Sequence, residues 1–180
     1  MENNEEVFKE KRKPKGEIKF KLSLNEEQKE AKQIVLDNPV VLLKGMAGSG
    51  KTLLACQIAL DMVFKREMEK IIITRPTVAK EDIGFLPGDA ESKLHPYLLP
   101  ILDEINHFIS NGQYTSLKTT NRIEVVPLGL MRGRNFHNCF IVADECQNAS
   151  YDQLKMLLTR VGRDSKLVLT GDIGQSDLAK

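Results

Sequence analysis

Residues 45–52 read Gly-Met-Ala-Gly-Ser-Gly-Lys-Thr, a G-x-x-x-x-G-K-[ST] pattern set between the apolar run Val40 to Lys44 and the helical run Leu53 to Phe64. That placement demands a strand, a tight turn and a helix in immediate succession. Glycines permit backbone geometry that other residues resist, so consecutive N–H groups can turn inward at the positive end of the helix and cradle an anion. Gly45, Met46, Ala47, Gly48, Ser49, Gly50, Lys51, Thr52 and Leu53 are therefore the expected phosphate-binding residues. Lys51 is expected to reach the β- and γ-phosphates of a nucleoside triphosphate and the Thr52 hydroxyl to take one Mg²⁺ position. The loop binds phosphate without choosing the base, so ATP and GTP both fit it. A glycine turn that merely joins strand to helix is the simpler alternative, and the flanking pattern argues against it.

The rest of the chain alternates β-branched runs with helical patterns, which is how a parallel α/β sheet reads. The runs are Val40 to Lys44, Ile71 to Thr74, Phe140 to Asp144 and Leu167 to Thr170, each apolar throughout, as expected of strands covered on both faces. Helices are expected at about 25–37, 51–65, 93–110 and 150–162. Ser150 would cap the last, and Gly162 would end it. Tyr114 to Lys118 and Arg122 to Val126 look like two short strands around a polar turn at 119–121, a peripheral β-hairpin. Residues 23–180 thus form a single α/β domain with a mostly parallel sheet flanked by helices. Residues 1–22 form a charged arm in which Lys9, Lys11, Arg12, Lys13, Lys15, Lys19 and Lys21 follow an acidic start, and which ends in a possible short strand at Ile18 to Leu22. Such a run is usually a solvated tail; contact with nucleic acid is the alternative.

Composition narrows the class. Hydrophobic residues at 41% and charged residues at 28% lie near the globular average. No apolar run approaches the roughly 20 residues that span a bilayer, and the first ten residues lack the pattern of a signal peptide. A cytoplasmic protein without a membrane partner is expected. Cys56, Cys139 and Cys146 have no metal or disulfide spacing and read as buried thiols. A net charge of +1 makes no argument for nucleic acid, which must rest on local clusters.

The second half of a nucleotide site is expected at Phe140-Ile-Val-Ala-Asp144-Glu145, because ligands of open α/β sheets lie beyond the carboxyl ends of strands. Asp144 would hold Mg²⁺ and Glu145 would polarise the water that attacks the γ-phosphate. An acidic pair in that place can also be a capping or surface feature.

At Asp144-Glu145-Cys146-Gln147-Asn148 the chain resembles the PhoH family, related to the first motor domain of superfamily 1 helicases. The resemblance extends from Leu24 to Leu178. It includes Thr74-Arg75-Pro76, Gly84-Phe-Leu-Pro-Gly-Asp89, Pro96-Tyr97, Met131-Arg-Gly-Arg134, Leu158-Thr-Arg160 and Gly171-Asp172-x-x-Gln175. It implies a RecA-like P-loop core that binds and hydrolyses ATP with Mg²⁺, a homo-oligomer of ring form such as a hexamer, and a link to RNA or single-stranded DNA. It further implies that Gln175 reads the γ-phosphate and that Gln28 reads adenine. Asn25-x-x-Gln28 also has the spacing of a helix capping box, and the two readings are compatible. Cys146 stands where relatives often carry alanine. The family continues through another strand and helix past the position of Lys180, so the core is expected to lack them.

Arg75, Arg132, Arg134 and Arg160 are candidates for phosphate contact, to ATP across a subunit boundary or to nucleic acid, with surface ion pairing as the plain alternative. The leading expectation is a Mg²⁺-dependent ATPase coupled to nucleic acid. The alternative is a nucleotide-binding regulatory module with little turnover. A kinase is weaker, because no acceptor pocket can be picked out.

Overall fold

A computed structural model describes residues 23–76, 99–172 and 174. Helix α1 (Glu26–Asp37) leads to β1 (Val40–Lys44), α2 (Lys51–Phe64) and β2 (Lys70–Thr74). Helix α3 is described over 99–106, and α4 (Asn111–Thr119), β3 (Ile123–Val125), β4 (Cys139–Ala143), α5 (Tyr151–Leu158) and β5 (Lys166–Gly171) follow. The five strands make one parallel sheet in the order β1-β5-β4-β2-β3.

Two cores follow from the pleat, because in-register residues of parallel strands share a face. One face gathers Val41, Leu43, Ile71, Ile73, Phe140, Val142 and Val168 under α1, α2, α3 and α4. The other gathers Ile72, Ile141, Ala143 and Leu167 under Leu157 of α5 and the short 3-10 turn Leu128–Met131. Helix α2 is the most deeply set, with Leu54, Ala55, Cys56, Ile58, Ala59 and Leu60 all buried. Three helices begin with the same device: Asn25 with Gln28, Ser110 with Gln113 and Ser150 with Gln153 each form a reciprocal capping box. Each cap stabilises its helix by about 1 kcal/mol.

The structure corrects the expected hairpin. Tyr114 to Lys118 lie within α4, and β3 pairs in parallel with β2 through Ile71–Ile123 and Ile73–Val125. The pattern at Ser110-Asn-Gly-Gln113 starts a helix, and Leu117 is the residue that helix buries. Asn121 turns the chain with φ of 56°. Gly162 likewise does not end α5, which stops at Leu158 with Thr159 as its cap. Gly162 instead crosses the chain before β4 so closely that a Cβ there would lie 2.6 Å from the Phe136 carbonyl oxygen. The charged arm expected over 1–22, with its strand at Ile18 to Leu22, and residues 93–98 of the helix expected at 93–110 lie outside the described residues.

Candidate active site

The glycine loop sits where β1 hands over to α2. Gly48 and Gly50 have φ of 75° and 79°, left-handed values that their lack of a Cβ allows. Gly50 is also the N-cap of α2, with no side chain over the helix's first N–H groups. Those donors are thereby left for an anion. Gln28 belongs to its capping box and also reaches the loop, its Nε2 donating to the Ser49 carbonyl at 3.5 Å. A Cβ on Gly50 would come within 3.1 Å of that amide nitrogen.

Strand order explains how distant segments converge. β5 lies between β1 and β4, so the carboxyl ends of all three meet. The ladders run slightly past the strands: Gly45 N–H donates to Gly171 O at 3.3 Å and Asp144 N–H to Thr74 O at 2.9 Å. Asp144, 4% exposed, is thus held at the mouth of the loop. Its Oδ1 accepts from the Thr52 hydroxyl at 2.6 Å and from the Thr170 hydroxyl at 2.6 Å. Thr52 and Asp144 are hard oxygen donors side by side, a set that suits Mg²⁺ completed by water and phosphate oxygens. Among the described residues no cluster of three or more His, Cys, Asp or Glu could hold a metal by itself.

Glu145 adopts φ 54° and ψ 39°, an uncommon backbone for a residue with a side chain and costly by about 1–2 kcal/mol. Its carboxylate accepts from the Gln147 amide, and the Arg75 guanidinium lies 4.0 Å away. The other end of Gln147 accepts from Asp172 N–H at 3.1 Å, tying Glu145 to the end of β5. Asp172 in turn accepts from the loop N–H of Ala47 at 2.9 Å. Lys51 is turned onto its own loop, donating to the carbonyls of Gly45 at 2.8 Å and Met46 at 2.7 Å. Around them is a cavity of about 240 Å³ lined by Ala47, Gly48, Gly50, Lys51, Thr52, Leu53, Arg75, Asp144, Glu145 and Asp172.

Met46 is 80% exposed at the loop's outer turn. Of the arginines, only Arg75 borders the cavity. Arg132 is exposed beside Gly133, whose φ is 81°. Arg134 makes two bonds to Glu124, at 2.8 and 3.0 Å, and its guanidinium lies 4.8 Å from the Phe136 ring centre. Arg160 donates to the Arg134 carbonyl at 3.2 Å and to the Thr159 hydroxyl at 3.3 Å. Gln175 lies outside the described residues, as do 84–89 and 96–97.

Three cavity residues escaped the sequence reading. Thr170 had a legible signal, a hydroxyl ending the apolar run Leu167-Val-Leu just before Gly171-Asp172. Pro100 and Glu104 had none, since α3 is an ordinary amphipathic pattern that buries Ile101 and Ile105. Burial raises the Glu104 carboxyl above its ordinary range, and the Asp144 charge raises it further against the opposing effect of His107. The cysteines are free and buried. Burial first, and then the charge of Asp144, pushes the Cys146 thiol up to about 12, and the same causes raise Cys56, so neither is a ready nucleophile.

Known proteins resemble this chain in fold and in sequence. The Sulfolobus solfataricus SWI2/SNF2 ATPase core in complex with dsDNA superposes with a TM-score of 0.57 at 16% identity, over 88% of this chain and 34% of that one, a likeness of fold. A PhoH-like protein of Synechocystis sp. is 43% identical over 152 residues, covering 84% of this chain and 46% of the relative. One from Bacillus subtilis is 42% identical over 144 residues, with 79% and 45% covered. Protein PhoH of Escherichia coli K12 is 35% identical over 162 residues, with 88% and 46% covered. The chain therefore spans under half the length of these relatives. Residues 22–180 match the family model described as PhoH-like protein, and with the glycine loop and the paired acids in register at the sheet's carboxyl end, the chain belongs to that family.

Proposed function

We propose that this chain is a Mg²⁺-dependent ATPase. The observation that carries the reading is the single carboxylate oxygen of Asp144 that accepts from both Thr52 of the glycine loop and Thr170 of β5. It brings a metal-binding hydroxyl, a metal-binding acid and the phosphate cradle to one point. In the proposed reaction the α2 N–H groups and Lys51 hold the β- and γ-phosphates, for which Lys51 leaves the loop carbonyls. Thr52 and Asp144 hold Mg²⁺, which when bound neutralises charge on the phosphate oxygens. Glu145 orients and polarises the attacking water, and its constrained backbone aims it. Gln175 senses the γ-phosphate, and Gln28, seated against Ser49, contacts the adenine.

Coupling to RNA or DNA and assembly into an oligomer are parts of the same proposal, resting on the family. The double-stranded DNA of the Sulfolobus complex adds a candidate to single-stranded RNA and DNA. A single RecA-like fold moves along a strand only with a neighbour, and an arginine acting in trans is part of that arrangement. Arg132 is the best placed of the candidates, since it is exposed while Arg134 and Arg160 are bonded within the chain.

One observation favours a second reading, a nucleotide-binding module with little turnover: the loop's cation and one of its donors are satisfied internally, by Gly45, Met46 and Asp172. Phosphate release from ATP with Mg²⁺, with and without single-stranded RNA or DNA, separates the two. Turnover that Lys51→Ala abolishes supports the ATPase. ATP binding without phosphate release under any of these conditions leaves the module.

A further inference from the structure

A second cavity lies at the amino end of the sheet, away from the glycine loop. It holds about 240 Å³ and is lined by Arg66, Met68, Glu69 and Arg122. Arg66 follows the end of α2, Arg122 precedes β3, and Glu69 precedes β2 with its N–H donating to the Asn138 carbonyl at 2.9 Å. The five residues of β2, at about 3.3 Å each, put this cavity on the order of 16 Å from the nucleotide site. None of its residues borders that site.

Two arginines share it against two physical preferences. The first is a preference of the backbone. Helix α2 closes in a Schellman turn, with Arg66 N–H donating to Val63 O at 3.1 Å and Glu67 N–H to Met62 O at 2.8 Å. Arg66 therefore holds, with φ of 61°, the position that glycine usually takes. The second preference is electrostatic. Arg122 Nη2 donates to Val63 O at 2.6 Å, the same carbonyl that Arg66 N–H uses, which brings its guanidinium to the turn that carries Arg66. Burial first, and then the like charge of Arg66, pulls Arg122 below its ordinary range, against the opposing effect of Glu69. Lys65 and Lys70 nearby are paired with Asp61 and Glu124, but among the described residues neither arginine has an ion pair. A guanidinium carries five N–H donors, so the bond to Val63 leaves most of those of Arg122, and the fork of Arg66, to the cavity.

We propose that this cavity is a second anion site, which binds a phosphate group between Arg66 and Arg122. Guanidinium forks match phosphate oxygens in pairs, and an anion between the two offsets their mutual repulsion. Glu69 is one acid against two cations, so the lining stays net positive, and the buried Met68 supplies its apolar wall. Two sources present that chemistry: free phosphate or diphosphate, and the backbone of a nucleic acid. Arg122 is fixed by its bond to Val63, and Arg66 is the residue kept there for the ligand alone.

The test follows the backbone amide chemical shifts of the full chain during titration with inorganic pyrophosphate. Saturable shifts are expected at residues 66–69 and 122, apart from any at 45–52, where the glycine loop takes the same probe. Response at 45–52 bears on the ATPase reading and response at 66–69 on this one, so the two fail separately. In Arg66→Gly the shifts at 67–69 and 122 should need at least about tenfold more pyrophosphate, the factor that one lost hydrogen bond to a charged group supplies, while those at the loop stay. Without the probe the same variant should melt about 2 °C above the wild type, because glycine suits the left-handed turn and the like charge is gone. An arginine that serves only to cap α2 gives the reverse, a lower melting temperature. Shifts confined to the loop, shifts at 67–69 that Arg66→Gly leaves unchanged, shifts reproduced by sodium chloride at equal ionic strength, or a lower melting temperature for the variant overturn the proposal. A parallel titration with a short single-stranded DNA assigns the source. Response to DNA at the lower phosphate concentration makes the ligand a backbone phosphate, and response to pyrophosphate at the lower one makes it a free phosphate.

Discussion

The two ends of the sheet use the same residue types for opposite purposes. At the amino end, charged and polar groups are spent on the backbone: Lys166 Nζ donates to the carbonyls of Leu36 at 2.8 Å and Asn38 at 3.0 Å, and Arg122 to that of Val63 at 2.6 Å. Ser165 accepts from Cys139 N–H and donates to Phe136 O, closing the gap before β4. At the carboxyl end, comparable groups face a cavity, with Glu145 in a left-handed backbone and Arg75 only 4.0 Å from it. The difference teaches that an arginine or lysine is informative by its partners. One that reaches a carbonyl of a distant element, as Lys166 and Arg122 do, is holding the fold, and one that borders a cavity beside an acid is available to a ligand.

Substitutions at the two ends should therefore fail differently. Lys51→Ala should lower ATP turnover by at least about a hundredfold while leaving the melting temperature nearly unchanged, measured by phosphate release and thermal unfolding. Glu145→Gln should cost about a hundredfold in turnover but keep ATP affinity within a few-fold, as isothermal titration would report. A turnover close to wild type would remove Glu145 from the role of base. At the amino end, Gly162→Ala should destabilise the chain by about 2–3 kcal/mol in urea unfolding, since a Cβ there meets both the His137 ring and the Phe136 carbonyl oxygen, and the backbone oxygen cannot swing aside. ATP affinity of the folded fraction should be unchanged.

Arg134→Ala sharpens the comparison most. The Glu124 pair is half-exposed, so its loss should cost only about 1 kcal/mol, and turnover of the assembled protein should be unaffected. A collapse of turnover with stability preserved would mean that this arginine serves a neighbouring subunit, and the division between the ends would break. The smallest effect is a pH dependence. The Arg134 hydrogen bond, joined by Lys70, holds the Glu124 carboxyl below its ordinary value of 4.5, against the effect of burial. A carboxyl with a depressed value in the folded state adds stability that is complete above the unfolded value and lost as pH falls through the folded one. Unfolding followed below pH 4.5 should show a shallower acid loss in Glu124→Gln than in the wild type.

What could be read from the sequence follows the same physics. The strands were legible because a parallel strand is an unbroken apolar run, and Val40 to Lys44 was bounded to the residue by Pro39 and Gly45, although β1, expected to be covered on both faces, leaves Val40 and Leu42 exposed on one. The loop and the acids were legible because each needs its residue types at a set spacing. Tyr114 to Lys118 was misread because tyrosine and threonine suit a strand locally, while the capping pair Ser110 and Gln113 lay just upstream. Glu104 was illegible, since its approach to the cavity is set by how α3 packs and not by any spacing within α3. The surroundings of Arg134 depend on Glu124 in β3, ten residues away, with a turn between them.

The position of β5 has a consequence for the order of events during synthesis. The strand that carries the glycine loop and the strand that carries the acids are not neighbours; β5, made after both, is the wedge that spaces them. A nascent chain that has emerged only through residue 160 already owns Lys51, Thr52, Asp144 and Glu145 and yet has no strand to set them at their working separation. Nucleotide can therefore act as a ligand of the finished sheet but not as a template for its early half. The pairing of β1 with β5, which joins residues about 127 apart, is the one that brings the glycine loop and the acids to one edge of the sheet.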